Sequence, residues 1–170
     1  MTHDIKTALE RNVKAVSLRP AVGQGTAVTV ARLRDGLACD ISDGPWTLTA
    51  GMSAKYGGTE AGPNPGVLGR GALAACLTLG YAMWAARLEV PIDDLHVEVH
   101  ADYDVRGELG VDPAVRPGYL AMRYVVSVSS PASEETVRHL IDTADRHSSW
   151  RDDLANPVPL TRELRISQSV

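Results

Sequence analysis

Cys76 is the side chain with the widest chemical reach in this sequence. A thiol acts as a nucleophile only as thiolate, and an unassisted cysteine with a pKa of about 8.5 is mostly protonated at neutral pH. Cys76 lies in an apolar stretch behind the Gly- and Pro-rich run Gly57 to Gly66. It falls beyond the first turn of the helix expected there, so the helix macrodipole gives it modest help and a reactive thiol needs a cationic neighbour. Without one, Cys76 is a small core hydrophobe. At helical spacing Gly69, Ala72, Leu73, Gly80 and Met83 share its face, so small residues leave room and Leu73 and Met83 make a pocket oily.

Three other constellations fit simpler readings. His96, Glu98, His100 and Asp102 alternate with Val97, Val99 and Ala101, the period-2 pattern of a half-solvated strand, so no metal site is assigned to them. His147 beside Ser148 lacks the Gly-x-Ser-x-Gly elbow of a hydrolase and suits a cation at a helix C-terminus. Gly69-x-Gly71-x-x-Ala74 lies inside a helix, not after a strand, so no dinucleotide is expected and no cofactor is assigned.

The elements that must position Cys76 follow from periodicity. Ile5, Leu9, Val13 and Val16 predict an amphipathic helix over 4–17, an extension covering residues 1–20. Strands at 27–33, 37–41 and 46–52, separated by Arg34-Asp35-Gly36 and Asp43-Gly44-Pro45, predict a three-stranded meander. Asn64 as N-cap and Pro65 as first helical residue open a helix to Leu88, apolar nearly all round and therefore buried and central. Strands over 96–103 and 119–129 flank a loop at 107–118. Ser133 caps a second helix whose stripe is Val137, Leu140, Ile141 and Ala144. A turn at 156–159 leads to a last strand over 160–166. The order is that of an α+β fold in one domain, 1–170.

Composition narrows the function classes. With 170 residues, the chain can bury a core without staples. Seventeen basic against twenty-one acidic residues leave a net charge of −4 with the cations scattered, which argues against a nucleic-acid partner. Two cysteines, Cys39 and Cys76, are too few for a disulfide framework and point to the reducing cytoplasm. The charged N-terminus has no signal core, and the uncharged run 71–86 is shorter than a bilayer span, so no membrane role is expected.

Gly57-Gly-Thr59, then Gly62-Pro-Asn-Pro65, then a helix carrying Ala74-Ala75-Cys76-Leu77 resembles the first catalytic segment of the OsmC/Ohr family, thiol-dependent peroxidases that reduce organic hydroperoxides. The resemblance implies an OsmC-like fold, antiparallel sheets around two central helices, in an intertwined homodimer with its sites at the interface. It implies that Cys76 is the nucleophile and that Arg34, in an early Arg-Asp-Gly turn, is its activator. Two positions depart from the family pattern. Gly66 stands where a Glu usually orients the arginine, with Glu60 nearby as a substitute, and Ser148 stands where the resolving cysteine is expected. The implied function is reduction of a hydroperoxide with an external thiol reductant. Its substrate pocket would include Leu73, Met83 and Ser148. The alternative is a non-catalytic relative that holds a small hydrophobic ligand at the interface.

Overall fold

Asn64 stops the chain in extended geometry and its side chain accepts the N–H of Val67, so the long helix begins at Pro65 as its cap residues require. The computed structural model describes residues 2–156 and 158–168, with side chains from Asp4 onward. Its order is α1 (Thr2–Leu18), β1 (Val30–Arg34), β2 (Ala38–Asp43), β3 (Trp46–Gly51), α2 (Pro65–Leu88), β4 (Asp94–Asp102), α3 (Val105–Glu108), β5 (Ala121–Ser129), α4 (Glu134–Asp145) and α5 (Ser149–Ala155). The strands form two antiparallel sheets, β1-β2-β3 and β4-β5.

The body of the molecule is built on α2. Leu73, Leu77, Tyr81 and Ala85, four residues apart, form its buried stripe. Opposite them stands the inner face of β4-β5, where register pairs Val97 with Val126, Val99 with Tyr124 and Ala101 with Met122. Ser133 caps α4 through the N–H of Thr136, and Leu140 and Ala144 complete the core. α1 and α5 also lie against α2. This packing makes α2 a core helix, although its length and composition alone would suffice to cross a membrane.

The glycine-rich run folds against β3. A Cβ on Gly58 would lie 2.0 Å from the Met52 carbonyl oxygen, and one on Gly62 would lie 2.2 Å from that of Thr49. Thr59 N–H donates to the Gly36 carbonyl, tying the run to the Arg34-Asp35-Gly36 turn. These glycines permit close backbone approach.

Several expectations are corrected. α2 is not buried all round: Leu79 is 64% exposed, and Val67 and Met83 are half exposed, because the chain supplies neighbours for one stripe only. The loop after β4 contains the one-turn α3. Residues 160–166 form no strand; they are exposed along their whole length. In the turn expected at 156–159, Pro157 lies outside the described residues. Before it comes the unforeseen α5.

The β1-β2-β3 meander is covered only where the end of β3 and the start of β2 meet the glycine-rich run. β1 is exposed along its whole length, Leu33 is 81% exposed and Trp46 74%. The chain exposes 12960 Å² in all. A compact chain of this size exposes about 8,000 Å².

Candidate functional site

Cys76 borders the buried stripe of α2, three residues on from Leu73, and is half buried. Its Sγ lies 3.5 Å from the Ser148 hydroxyl and 3.7 Å from that of Ser149. These serines open α5, and their placement explains the thiol's electrostatics. Burial pushes the Cys76 pKa up. Hydrogen bonds from the Ser148 hydroxyl, the Trp150 N–H, and the hydroxyl and N–H of Ser149 outweigh it, so the thiol titrates below its usual value. First-turn N–H groups have no partner within their helix, and here two of them serve the sulfur. Ser148, the N-cap residue, makes no capping bond; its buried hydroxyl goes to Cys76 instead.

Arg34 is not brought to this thiol within one chain. It ends β1, half exposed, and its Nη1 donates to Asp40 Oδ1 at 3.0 Å. Arg34 is the first cause of the lowered Asp40 pKa, opposed by burial and aided by a hydrogen bond from Thr49. No arginine is among the groups that shift Cys76. Glu60 accepts the Ala54 N–H, so it holds its own loop. At Gly66 a Cβ would lie 3.1 Å from the Tyr119 hydroxyl and 3.3 Å from Arg70 Nη1. That hydroxyl donates to the Gly66 carbonyl and accepts from Arg70, closing the space a Glu side chain would enter.

The three pocket residues fall in different settings. Ser148 meets the thiol, Met83 lies two turns farther along the Cys76 face and half exposed, and Leu73 belongs to the core. A cavity of about 450 Å³ has Leu73 in its wall but not Cys76, Met83 or Ser148. Cys39 lies on β2 between Leu33 and Ala50, and both cysteines are free. His96 and His100 lie near Asp94 and Glu98 of their own strand on its outer face. Trp84 packs against both core clusters, with the Arg87 guanidinium and the His147 ring each 4.6 Å from its ring.

Beneath α5 lies a polar network that sequence reasoning missed. Asp145 accepts the Tyr81 hydroxyl at 2.6 Å and the Tyr124 hydroxyl at 2.7 Å, and Arg151 Nε donates to the Tyr124 oxygen at 3.1 Å. It spans α2, β5, α4 and α5 and holds the corner that aims the serines at Cys76. The available signals were the hydroxyl pair Ser148-Ser149 and, four residues past the first, Asp152 in a helical first turn.

A thiol held on a central helix by helix-terminal donors, within two antiparallel sheets, defines a class of α+β proteins built around a cysteine. The OsmC-like protein family model matches residues 57–163, and the chain belongs to that family. No curated protein matches its sequence. Among solved structures, an OsmC-like protein from Mycoplasma pneumoniae is 18% identical with a TM-score of 0.67, over 79% of this chain and 90% of that one. An organic hydroperoxide resistance protein OsmC from Legionella pneumophila is 15% identical with a TM-score of 0.55, covering 78% and 90%. A putative organic hydroperoxide resistance protein from Vibrio cholerae, with captopril bound in one active site, is 17% identical with a TM-score of 0.53, covering 79% and 88%.

Proposed function

We propose that the chain is a homodimeric, cytoplasmic thiol-dependent peroxidase in which Cys76 reduces an organic hydroperoxide. The observation that carries the reading is the set of four hydrogen-bond donors around Cys76, which lowers the thiol's pKa against the effect of burial. The thiolate attacks the terminal oxygen of the hydroperoxide, the O–O bond breaks, and the alkoxide leaves as alcohol after taking a proton. Cys76 becomes a sulfenic acid. With serine at 148, an external thiol attacks that sulfur, releasing water and forming a mixed disulfide; a second thiol restores Cys76.

The dimer is part of this reading. The exposed meander and the open side of α2, where Cβ atoms on Gly69, Gly71 and Gly80 would meet nothing within 4 Å, suit cover by a second copy. Such a copy would also bring its own Arg34 toward Cys76. Obligate interfaces of this kind bury on the order of 2,000 Å² or more. Light scattering at micromolar concentration is expected to give twice the chain mass, and a monomer there would remove the interfacial site.

The decisive experiment is intact-mass measurement after one equivalent of an organic hydroperoxide without reductant. One added oxygen on Cys76 is expected, with an alkylation rate that rises with pH to a midpoint below that of free cysteine. An unoxidised thiol with an ordinary midpoint supports the second reading, a non-catalytic protein holding a small hydrophobic ligand. The observation favouring that reading is Gly66, where Tyr119 occupies the space of the family's orienting carboxylate.

A further inference from the structure

The cavity of about 450 Å³ between β5, α5 and the start of α2 has a charge pattern at odds with the chain. The protein carries −4 overall, yet the wall contains Arg116 and Arg151 and no Asp or Glu. Arg116 makes no side-chain hydrogen bond or ion pair among the described residues. Arg151 commits only its Nε, to the Tyr124 hydroxyl, leaving both Nη groups open. A guanidinium left with open donors on a cavity wall is a ready partner for a planar carboxylate, which it takes through two parallel hydrogen bonds.

The loop that presents Arg116 is braced. Arg106 pairs with Asp104 at 2.6 Å and with Asp112 at 3.5 Å. Gly107 passes so close beneath the loop that a Cβ there would lie 2.5 Å from the carbonyl oxygens of Val115 and Arg116. The remainder of the wall is apolar, with Leu73, Met122 and Leu154 among it. The two tyrosines on the wall have given their hydroxyl protons elsewhere, Tyr119 to Gly66 and Tyr124 to Asp145, so they offer rings more than donors. Arg151 already faces the Asp145 carboxylate at 4.0 Å, which leaves about one uncompensated positive charge on the wall. That balance suits a monoanion.

We propose that this cavity binds a monocarboxylate bearing a short apolar chain, its head on Arg116 and Arg151 and its chain against Leu73, Met122 and Leu154. The size falls in the range of small-molecule sites, about 300–1,000 Å³. The site does not rest on the peroxidase reading, since neither Cys76 nor Ser148 lines it.

Calorimetric titration of the full-length protein with octanoate, and with octanol as the neutral comparator, tests it. Saturable octanoate binding is expected, with octanol at least tenfold weaker. Arg116→Gln should weaken octanoate at least about tenfold, the loss of a charge-assisted hydrogen bond, and leave octanol unchanged. Arg116→Lys should recover part of the loss. The proposal is overturned if octanoate does not saturate, if octanol binds as well, or if Arg116→Gln changes octanoate by less than twofold.

Discussion

Replacing Ser148 by cysteine is expected to turn the oxidation of Cys76 from gain of one oxygen into loss of two hydrogens. The Ser148 oxygen already lies 3.5 Å from the Cys76 sulfur. A disulfide needs about 2.05 Å between sulfurs, and rotation about the two Cα–Cβ bonds is expected to close that gap from this starting point. Once Cys76 is a sulfenic acid, the introduced thiol attacks it, water leaves, and the bridge closes within the chain. Capture by a tethered neighbour outruns further oxidation, so sulfinic acid under excess hydroperoxide should fall by at least about tenfold relative to the natural chain. Oxidised glutathione offers a second route to the same bridge, one that does not depend on peroxidase activity. Non-reducing peptide mapping reads both. A Ser148→Cys chain that still accumulates oxygen on Cys76, and forms no bridge with either oxidant, would show that position 148 is not placed to resolve the thiol.

Asp145→Ala is expected to cost about 3 kcal/mol of unfolding free energy, from the loss of two charge-assisted hydrogen bonds at about 1.5–3 kcal/mol each, partly offset by relaxation. Tyr81 is 1% exposed, so its hydroxyl cannot turn to water for a new partner. Tyr81→Phe removes one donor and leaves Asp145 with Tyr124, so it should cost about 1.5 kcal/mol. Urea unfolding separates the two, and a change under about 0.5 kcal/mol for Asp145→Ala would mean that the network is not structural. Alkaline pH gives an independent reading. Burial first, then the Asp145 hydrogen bond and charge, raises the pKa of Tyr81 and of Tyr124. Groups whose folded pKa is raised contribute stability in full below the unfolded tyrosine value near 10 and lose it as pH rises beyond. The natural chain should therefore weaken above about pH 10, and Tyr81→Phe should weaken less steeply.

Much of the fold was legible because local chemistry and global packing agree there. Asn64, Pro65 and the apolar run marked α2 from Pro65 to Leu88, and Ser133 with two glutamates marked the start of α4. α5 escaped because seven residues show too little periodicity, and the hydroxyl of its N-cap residue Ser148 goes to Cys76, not to its own first turn. The strand expected at 160–166 failed for the complementary reason. Leu160, Leu164 and Ile166 recur at even spacing, but a strand exists only where an edge receives it. The cysteine, the serine beside it and the family were readable from residue types and spacing. The donors of Ser149 and Trp150 were not, since backbone N–H groups leave no mark in a sequence.

The meander β1-β2-β3 leaves the ribosome before α2 exists, and its large apolar side chains Leu33, Trp46 and Leu48 stay exposed even after α2 has formed. A sheet of this size in water has little stability until something covers it. If that cover is the second copy proposed above, the last step of folding is a bimolecular event, and the fraction of chain in its final state depends on how much of it the cell has made. Scarce, newly synthesised protein would linger with Trp46 and Leu33 uncovered, in the range where chaperones and proteases act.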